Sequence, residues 1–513
     1  MAVGSPNNDT VTLTSPIMGG TIDMMDGRDS LTLADGGNLL TILNAETVTG
    51  GSGDDEVTYG METMTWVKGN IVVDLMGGTN TLRLDGPING LVGVRNVHSF
   101  VGSEGNDQIG ATFGWSPVER VSYQFGEGTD SLVYVTDAQL GGLPYVTVTG
   151  LEKVEGYGDA SLDMTIGDRA LGTDVRMAGE YDTLRLSDDG GSNSVITHGV
   201  EYILGSAQRD VVQVDAHVRP INLDLGHGTD RVELLASSSQ TIIVSGVEAL
   251  LGNKGSDTVA LSDGTPLNMS IDLGGGFDTL YSSSATGRTV QVSNVEVISF
   301  NEGADTVTVR TAMKNGYVEL GADYDRLIFK GSGNSATLVN VEEVTGGAGA
   351  DRLDLVSDAN GSFVDAGAGA DVIRGTNFDD IMFGGDGGDT LIGNGGDDYI
   401  RGDAGKDIMT GGEGQDIFAF QAVSDSDLNT RDIITDFQVG VDQLVFQNLL
   451  HGSFSLTVEQ QFSGFNASGS TQAHFVDSTD QLLLDIDGDG QMDMRMTLTG
   501  VDSTLSANDF VWS

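Results

Sequence analysis

Along residues 366–420 a large apolar side chain returns every nine positions, at Ile373, Met382, Leu391, Ile400, Met409 and Phe418. Two places before each stands an aspartate: Asp371, Asp380, Asp389, Asp398, Asp407 and Asp416. The residues between are rich in glycine, as in GGDGGD (Gly384–Asp389) and GGEGQD (Gly411–Asp416). A flexible glycine-rich linker has no reason to hold an apolar residue in register six times. The pattern predicts a glycine turn followed by a short strand with one inward side chain, repeated. Two such units make one coil of a solenoid. Asp371, Asp389 and Asp407 then line one edge, and Asp380, Asp398 and Asp416 the other. Glycines such as Gly384, Gly385, Gly387, Gly411, Gly412 and Gly414 let the turn take positive φ and aim its carbonyls inward. The aspartates add charged oxygens, and a set of hard oxygens selects Ca2+. Each ion is expected between two stacked turns, so no coil binds alone.

Residues 1–362 carry the same logic less regularly. Alternating stretches such as DTLYS and DTVTV predict short half-buried strands, and nothing sustains a helical period. One kind of turn ends at Asp29, Asn80, Asp130, Asp182, Asp230, Asp278, Asp325 and Asp371, in steps of roughly fifty residues. A second ends at Asp55, Asp107, Asp159, Asp210, Asp257, Asp305 and Asp351. Repeats that cannot bury their faces alone imply stacking. The expected fold class is therefore all-β, a right-handed parallel β-solenoid of about seven degenerate repeats running into the regular β-roll. At this stage a coil could take about 24 residues or the whole ~50. The domains read as 1–362 (degenerate solenoid), 363–420 (regular roll) and 421–513 (C-terminal β cap).

Candidate ligands in the degenerate part are Asp55 and Asp351, whose turns keep the full glycine pattern, then Asp107 and Asp257, which keep most of it, and Asp278 and Asp305. Asn80 has lost the carboxylate, and beside Asp210 an arginine, Arg209, could stand in for an ion. Asp159 lies in a shortened turn where no ion is expected, so Asp389→Asn should weaken calcium binding more than Asp159→Asn. A phrase "NVE" recurs, with looser copies, placing Glu46, Glu152, Glu201, Glu248, Glu296 and Glu342 at one point of the repeat. These glutamates read either as ligands or a ladder along the solenoid, or as outward side chains or acceptors for a turn amide. Near the C-terminus, Asp485, Asp487, Asp489 and Asp493 match the opening of an EF-hand-like loop with Gly490 at the sharp turn. Met496 stands where the bidentate glutamate belongs, so a tight β-turn competes with an ion site.

The nonapeptides resemble the repeats-in-toxin (RTX) calcium-binding family. DIITDFQVGVDQLVF (Asp432–Phe446) and Asp485–Ser513 resemble the segments that follow the β-roll in serralysin-type proteases. The resemblance is close over 363–513 and loose over 1–362. It implies folding that depends on Ca2+ and export by type I secretion machinery. It also implies an uncleaved C-terminal signal, here Asp509, Phe510, Val511 and Trp512, with Ser513 after it.

Composition narrows the function. The 513 residues carry a net charge of −52, which excludes nucleic acid as a partner and disfavours anionic membranes. Gly reaches 75 and Pro only 7, which argues for turns between strands rather than disorder. With Cys 0, no disulfide or thiolate contributes. The first residues have no secretory leader pattern, and no apolar run is long enough to span a membrane. None of the six histidines stands four from another, so there is no zinc-protease helix, and no GxSxG appears. The expectation is a non-enzymatic, secreted, surface-associated calcium-binding structural protein: a layer, matrix or filament subunit. It should self-associate and meet cell-surface polysaccharide. An adhesin or ligand-binding module is the alternative, and a β-helical polysaccharide-active enzyme a more distant one.

Overall fold

The computed structural model describes residues 2–60, 71–86, 88, 91–113, 120–136, 145–158, 161–189, 191–215, 219–263, 268–501 and 505–513. Asp159 and His217 lie outside them. The chain divides into two compact units, Met1–Asn253 and Lys254–Ser513. The fold is all-β, and each unit is a parallel β-solenoid in which short strands alternate between two sheets.

In the first unit Thr10–Thr12, Ser30–Thr32 and Thr47–Thr49 stack in one sheet. Met18–Asp23, Leu39–Leu43 and Glu56–Gly60 stack in the other. In the second unit the same alternation places Phe363–Gly369, Ile381–Gly387 and Tyr399–Gly405 in one sheet. Val372–Arg374, Thr390–Gly395 and Ile408–Glu413 form the other. One coil is therefore two strands and two turns. In the roll it takes 18 residues, two nonapeptides. Elsewhere stacked turns lie between 17 and 26 residues apart, so the coil has the shorter of the two lengths left open by the sequence.

The fifty-residue repeat is not a whole number of coils. Ser30–Thr32 follows Asp29, Thr81–Asp85 follows Asn80, and the second lies five strands after the first. The repeat spans two and a half coils, so successive copies of a turn fall on opposite sheets.

Inward strand positions form the core. The roll's apolar residues Ile373, Met382, Leu391, Ile400, Met409 and Phe418 are all fully buried. Burying one such side chain is worth about 1.5–3 kcal/mol. Fixing the backbone costs about 1–2 kcal/mol per residue. One apolar residue in nine does not offset the order imposed on the other eight, so the roll depends on what happens at its turns.

The second unit ends in a different arrangement. Asp432–Ile434 and Gln443–Phe446 continue the two sheets, joined in parallel by Met494–Leu498 and Phe510–Trp512. Gln481–Asp485 runs antiparallel to Gln472–Val476 on one side and to Met494–Leu498 on the other. The ring of Phe446 stacks on Phe420 at 5.3 Å and on Trp512 at 4.7 Å, closing the core with aromatic surface.

Candidate metal centre

Each aspartate of the roll stands immediately before a strand and joins a ladder running from coil to coil. The Asp371 amide donates to Asp389 Oδ1, Asp389 to Asp407 and Asp407 to Asp432, each at 2.8 Å. The second row runs from Ser362 to Asp380 (2.6 Å), Asp398 (2.8 Å), Asp416 (3.0 Å) and Asp442 (3.1 Å). The nonapeptide aspartates thus fall into two alternating rows. Asp432 and Asp442, which the sequence reading did not single out, extend them. Their signal is the same: an apolar residue, Ile434 or Leu444, two places on.

One carboxylate oxygen is used by the ladder; the other is what matters chemically. Among the described residues, Oδ2 of Asp371, Asp389, Asp398, Asp407, Asp416 and Asp432 is buried with no hydrogen-bond partner. A desolvated, unpaired carboxylate oxygen is costly. Burial accordingly pushes Asp371 and Asp416 up to about 6, Asp407 to about 7, Asp398 to about 8 and Asp432 to about 9. Neighbouring carboxylates add to the rise.

The turn glycines show where a cation would go. A Cβ on Gly384 would lie 2.6 Å from Asp389 Oδ2 and 2.7 Å from the Gly402 carbonyl of the following coil. One on Gly393 would fall onto Asp398 Oδ2 and the Gly411 carbonyl. A Cβ on Gly402 or Gly411 would fall onto the side chain of Asp407 or Asp416, Oδ2 first. Each glycine leaves a cradle against a carboxylate oxygen, and at Gly384 and Gly393 a carbonyl of the next coil completes the hard-oxygen surroundings that Ca2+ prefers. Gly385 and Gly412, at φ 97° and 114°, each press against the coil before, at the Gly367 and Asn394 carbonyls, where any side chain would collide. Gly387 and Gly414 pack likewise on Gly369 and Gly396.

Most of the other turn aspartates fall into two kinds. At Asp55, Asp107, Asp351 and Asp380, Oδ2 is taken by an amide of its own turn: Gly51, Ser103, Gly347 and Thr376. Asp55 and Asp351 also accept the side-chain amides of Asn38 and Asn334. These turns are closed by the protein's own donors. At Asp29, Asp130, Asp230, Asp278 and Asp325, Oδ2 is buried and unpartnered, but the cradle glycine five places earlier is replaced. Met24, Phe125, Leu225, Leu273 and Leu320 stand there, all buried. Asp257 donates its amide to Asp278 Oδ1, and Asp305 accepts from Arg288.

The recurrent glutamates are ladder ends. Oε2 of Glu46, Glu152, Glu201, Glu248, Glu296 and Glu342 accepts the amide of Asp29, Asp130, Asp182, Asp230, Asp278 and Asp325 at 2.5–2.8 Å. Each sits at the end of a three-residue turn that opens on Asn or Gly in the left-handed region, such as Asn294 (φ 54°), Asn340 (50°) and Gly199 (65°). The tight turn is set back from the edge, and the longer glutamate side chain reaches the amide.

Asp485 to Asp493 connects the antiparallel strands Gln481–Asp485 and Met494–Leu498. Carboxylate oxygens of Asp485, Asp487 and Asp493 lie within 4.8 Å of one another. Asp485 accepts the amides of Gly488 and Gly490, so the loop is at once a satisfied tight turn and a cluster of three acids. Asp489 donates its amide to Asp487, and its own carboxylate accepts the Gln491 amide.

Residues 322–512 match the family model of the peptidase M10 serralysin C-terminal domain. That model describes the C-terminal, non-catalytic part of serralysin-type proteases. No curated protein matches the chain. Among the described residues no helix is long and apolar enough to cross a membrane.

Proposed function

We propose that the chain is an extracellular calcium-binding structural protein that folds after type I secretion and then assembles on the cell surface. The observation carrying this reading is the double row of buried, unpaired Oδ2 atoms between Asp371 and Asp432, each of the four glycine cradles facing one of them. Asp371, Asp389, Asp398, Asp407, Asp416 and Asp432 would hold the ions, with turn carbonyls completing each donor set. Bound Ca2+ supplies the positive charge that these desolvated carboxylates lack. Before export the ion is scarce and the like charges repel, which keeps the chain unfolded for passage.

The folded position of the signal residues suits that order of events. Asp509 is buried and accepts the Gly440 amide, and Phe510–Trp512 pairs with Gln443–Phe446. A secretion machine could read this segment only before folding. Functionally we divide the chain into a solenoid scaffold (1–362), the calcium roll (363–420) and the closing cap with its signal (421–513), with no catalytic role.

Assembly would use exposed apolar side chains and unpaired strand edges. Among the described residues Thr10–Thr12 pairs on one side only, and Met18, Val3 and Leu39 at the same end are exposed. Unprotected strand edges pair with other chains. Light scattering and negative-stain microscopy across a Ca2+ series test this: ordered arrays or fibres are expected above the folding concentration. A monodisperse monomer at millimolar Ca2+ would overturn assembly and leave the adhesin reading.

A further inference from the structure

The three-residue glutamate turns leave notches in the solenoid edge, and aromatic side chains collect around three of them. In the first unit Tyr181 stands just before Asp182, Glu201 caps that aspartate from the next coil, and Tyr202 follows Glu201. Tyr202 lies beside Asn222 of the coil after. In the second unit Phe277 and Glu296 repeat the first two positions, with Tyr317 on the coil after in the place of Asn222, and Tyr324, Glu342 and Phe363 do the same. Tyr181 and Tyr324 are 58% and 60% exposed, far more than a tyrosine that serves packing.

Two of these notches are measurable recesses. One, of about 440 Å³, is lined by Glu180, Tyr181, Glu201, Tyr202, Asn222 and Arg219, whose guanidinium pairs with Glu180 at 3.2 Å and lies 5.8 Å from the centre of the Tyr181 ring. The other, of about 570 Å³, is lined by Asp323, Tyr324, Glu342, Asn360, Phe363 and Asp379. They occur in different units at the same point of the repeat, so each arises from the repeat and not from a local accident. Each spans at least two coils, about 10 Å at the usual strand spacing. An exposed aromatic face lies beside carboxylate and amide groups that accept and donate hydrogen bonds.

We propose that these recesses bind a neutral polysaccharide, a pyranose ring lying on Tyr324 or on the face of Tyr181 away from Arg219, while its hydroxyls meet the Arg219–Glu180 pair in one recess and donate to Asp323 in the other. Amphipathic aromatic rings suit a ligand that is apolar on its ring faces and polar at its rim. The net charge of −52 disfavours uronate-rich or sulfated chains. An open recess with one or two rings is not the enclosing aromatic cage that selects quaternary amines. The site names a polysaccharide partner for the surface role above, and it depends on neither export nor assembly.

The full calcium-loaded chain, run through native gels containing dextran, a linear β-glucan or mannan, tests the idea. Polygalacturonate serves as the anionic comparison. Retardation by at least one neutral polymer is expected, weakened about tenfold or more in the pair Tyr181→Ala/Tyr324→Ala, with circular dichroism unchanged. Tyr181→Phe/Tyr324→Phe keeps the ring faces and should retain binding. No retardation by any neutral polymer would overturn the proposal. Equal retardation of the alanine pair, or retention on polygalacturonate alone, would do the same. None of these outcomes bears on calcium-dependent folding, which is read separately from the dichroism.

Discussion

Stripping calcium at neutral pH should unfold the roll, and mild acid should restore it. Unfolded aspartates ionise near pH 3.9. In the folded, metal-free roll Asp371 and Asp416 are held up to about 6, Asp407 to about 7, Asp398 to about 8 and Asp432 to about 9, burial being the first cause. Raised folded values mean that these groups bind more protons folded than unfolded. Their contribution is therefore complete below about pH 4 and is lost as pH climbs through 6 to 9. A hundredfold weakening of ionisation corresponds to about 3 kcal/mol. Halving that for water reaching the turn edge leaves about 1.5 kcal/mol per group. Over five groups the loss is about 7 kcal/mol, the size of a whole domain's stability. With Ca2+ bound the sign reverses, because the ion needs deprotonated carboxylates and acid displaces it. The assay is urea unfolding followed by circular dichroism at pH 4.5 and 7.5. One sample is stripped over chelating resin and the other holds millimolar Ca2+. Stripped protein should be the more stable at pH 4.5, calcium-loaded protein at pH 7.5. Slopes of one sign in both samples would refute the reasoning.

Asp389→Asn should raise the calcium midpoint of folding about tenfold, whereas Asp351→Asn, in a turn closed by Gly347 and Asn334, should shift it little; equal shifts in titrations would remove the distinction between open and closed turns. Gly393→Ala fills the cradle at Asp398 and should raise that midpoint at least as much, while Gly388→Ala, whose Cβ meets only the Lys406 carbonyl at 3.3 Å, should not. Glu342→Ala leaves the Asp325 amide without its acceptor and should cost about 1–3 kcal/mol in thermal unfolding with calcium present. Glu342→Gln keeps an accepting oxygen and should cost much less.

The strict part of the fold was legible because its period is strict. Nine residues per half-coil put Asp371 and Asp380 on different rows, and the burial of Ile373 and Met382 follows from the same count. In the degenerate part the fifty-residue period suggested a unit of whole coils. It is five strands, an odd number, so Asp29 and Asn80 lie on opposite sheets; turn spacing alone does not reveal parity when strand lengths vary. The division of aspartates into open, closed and apolar-backed turns was also hidden. It depends on whether the amide four places back turns inward, as Ser103 and Thr376 do, and on which side chain sits five places back. The full glycine pattern at Asp55 and Asp351 pointed towards ions, yet these carboxylates are met by the protein's own amides. The glutamates were recognisable as a fixed position, but their role needed the register that sets Glu342 beneath the Asp325 amide.

Hydrogen exchange on the full chain, resolved by peptide and compared with and without Ca2+ at pH 7.5, addresses calcium-dependent folding most directly. Amides between residues 366 and 446 should be protected with the ion and exchange at unfolded rates without it. Protection across Met1–Asn253, where no described turn has both a glycine cradle and an unpaired Oδ2, should change less. Equal protection of 366–446 in both samples would contradict calcium-dependent folding of the roll.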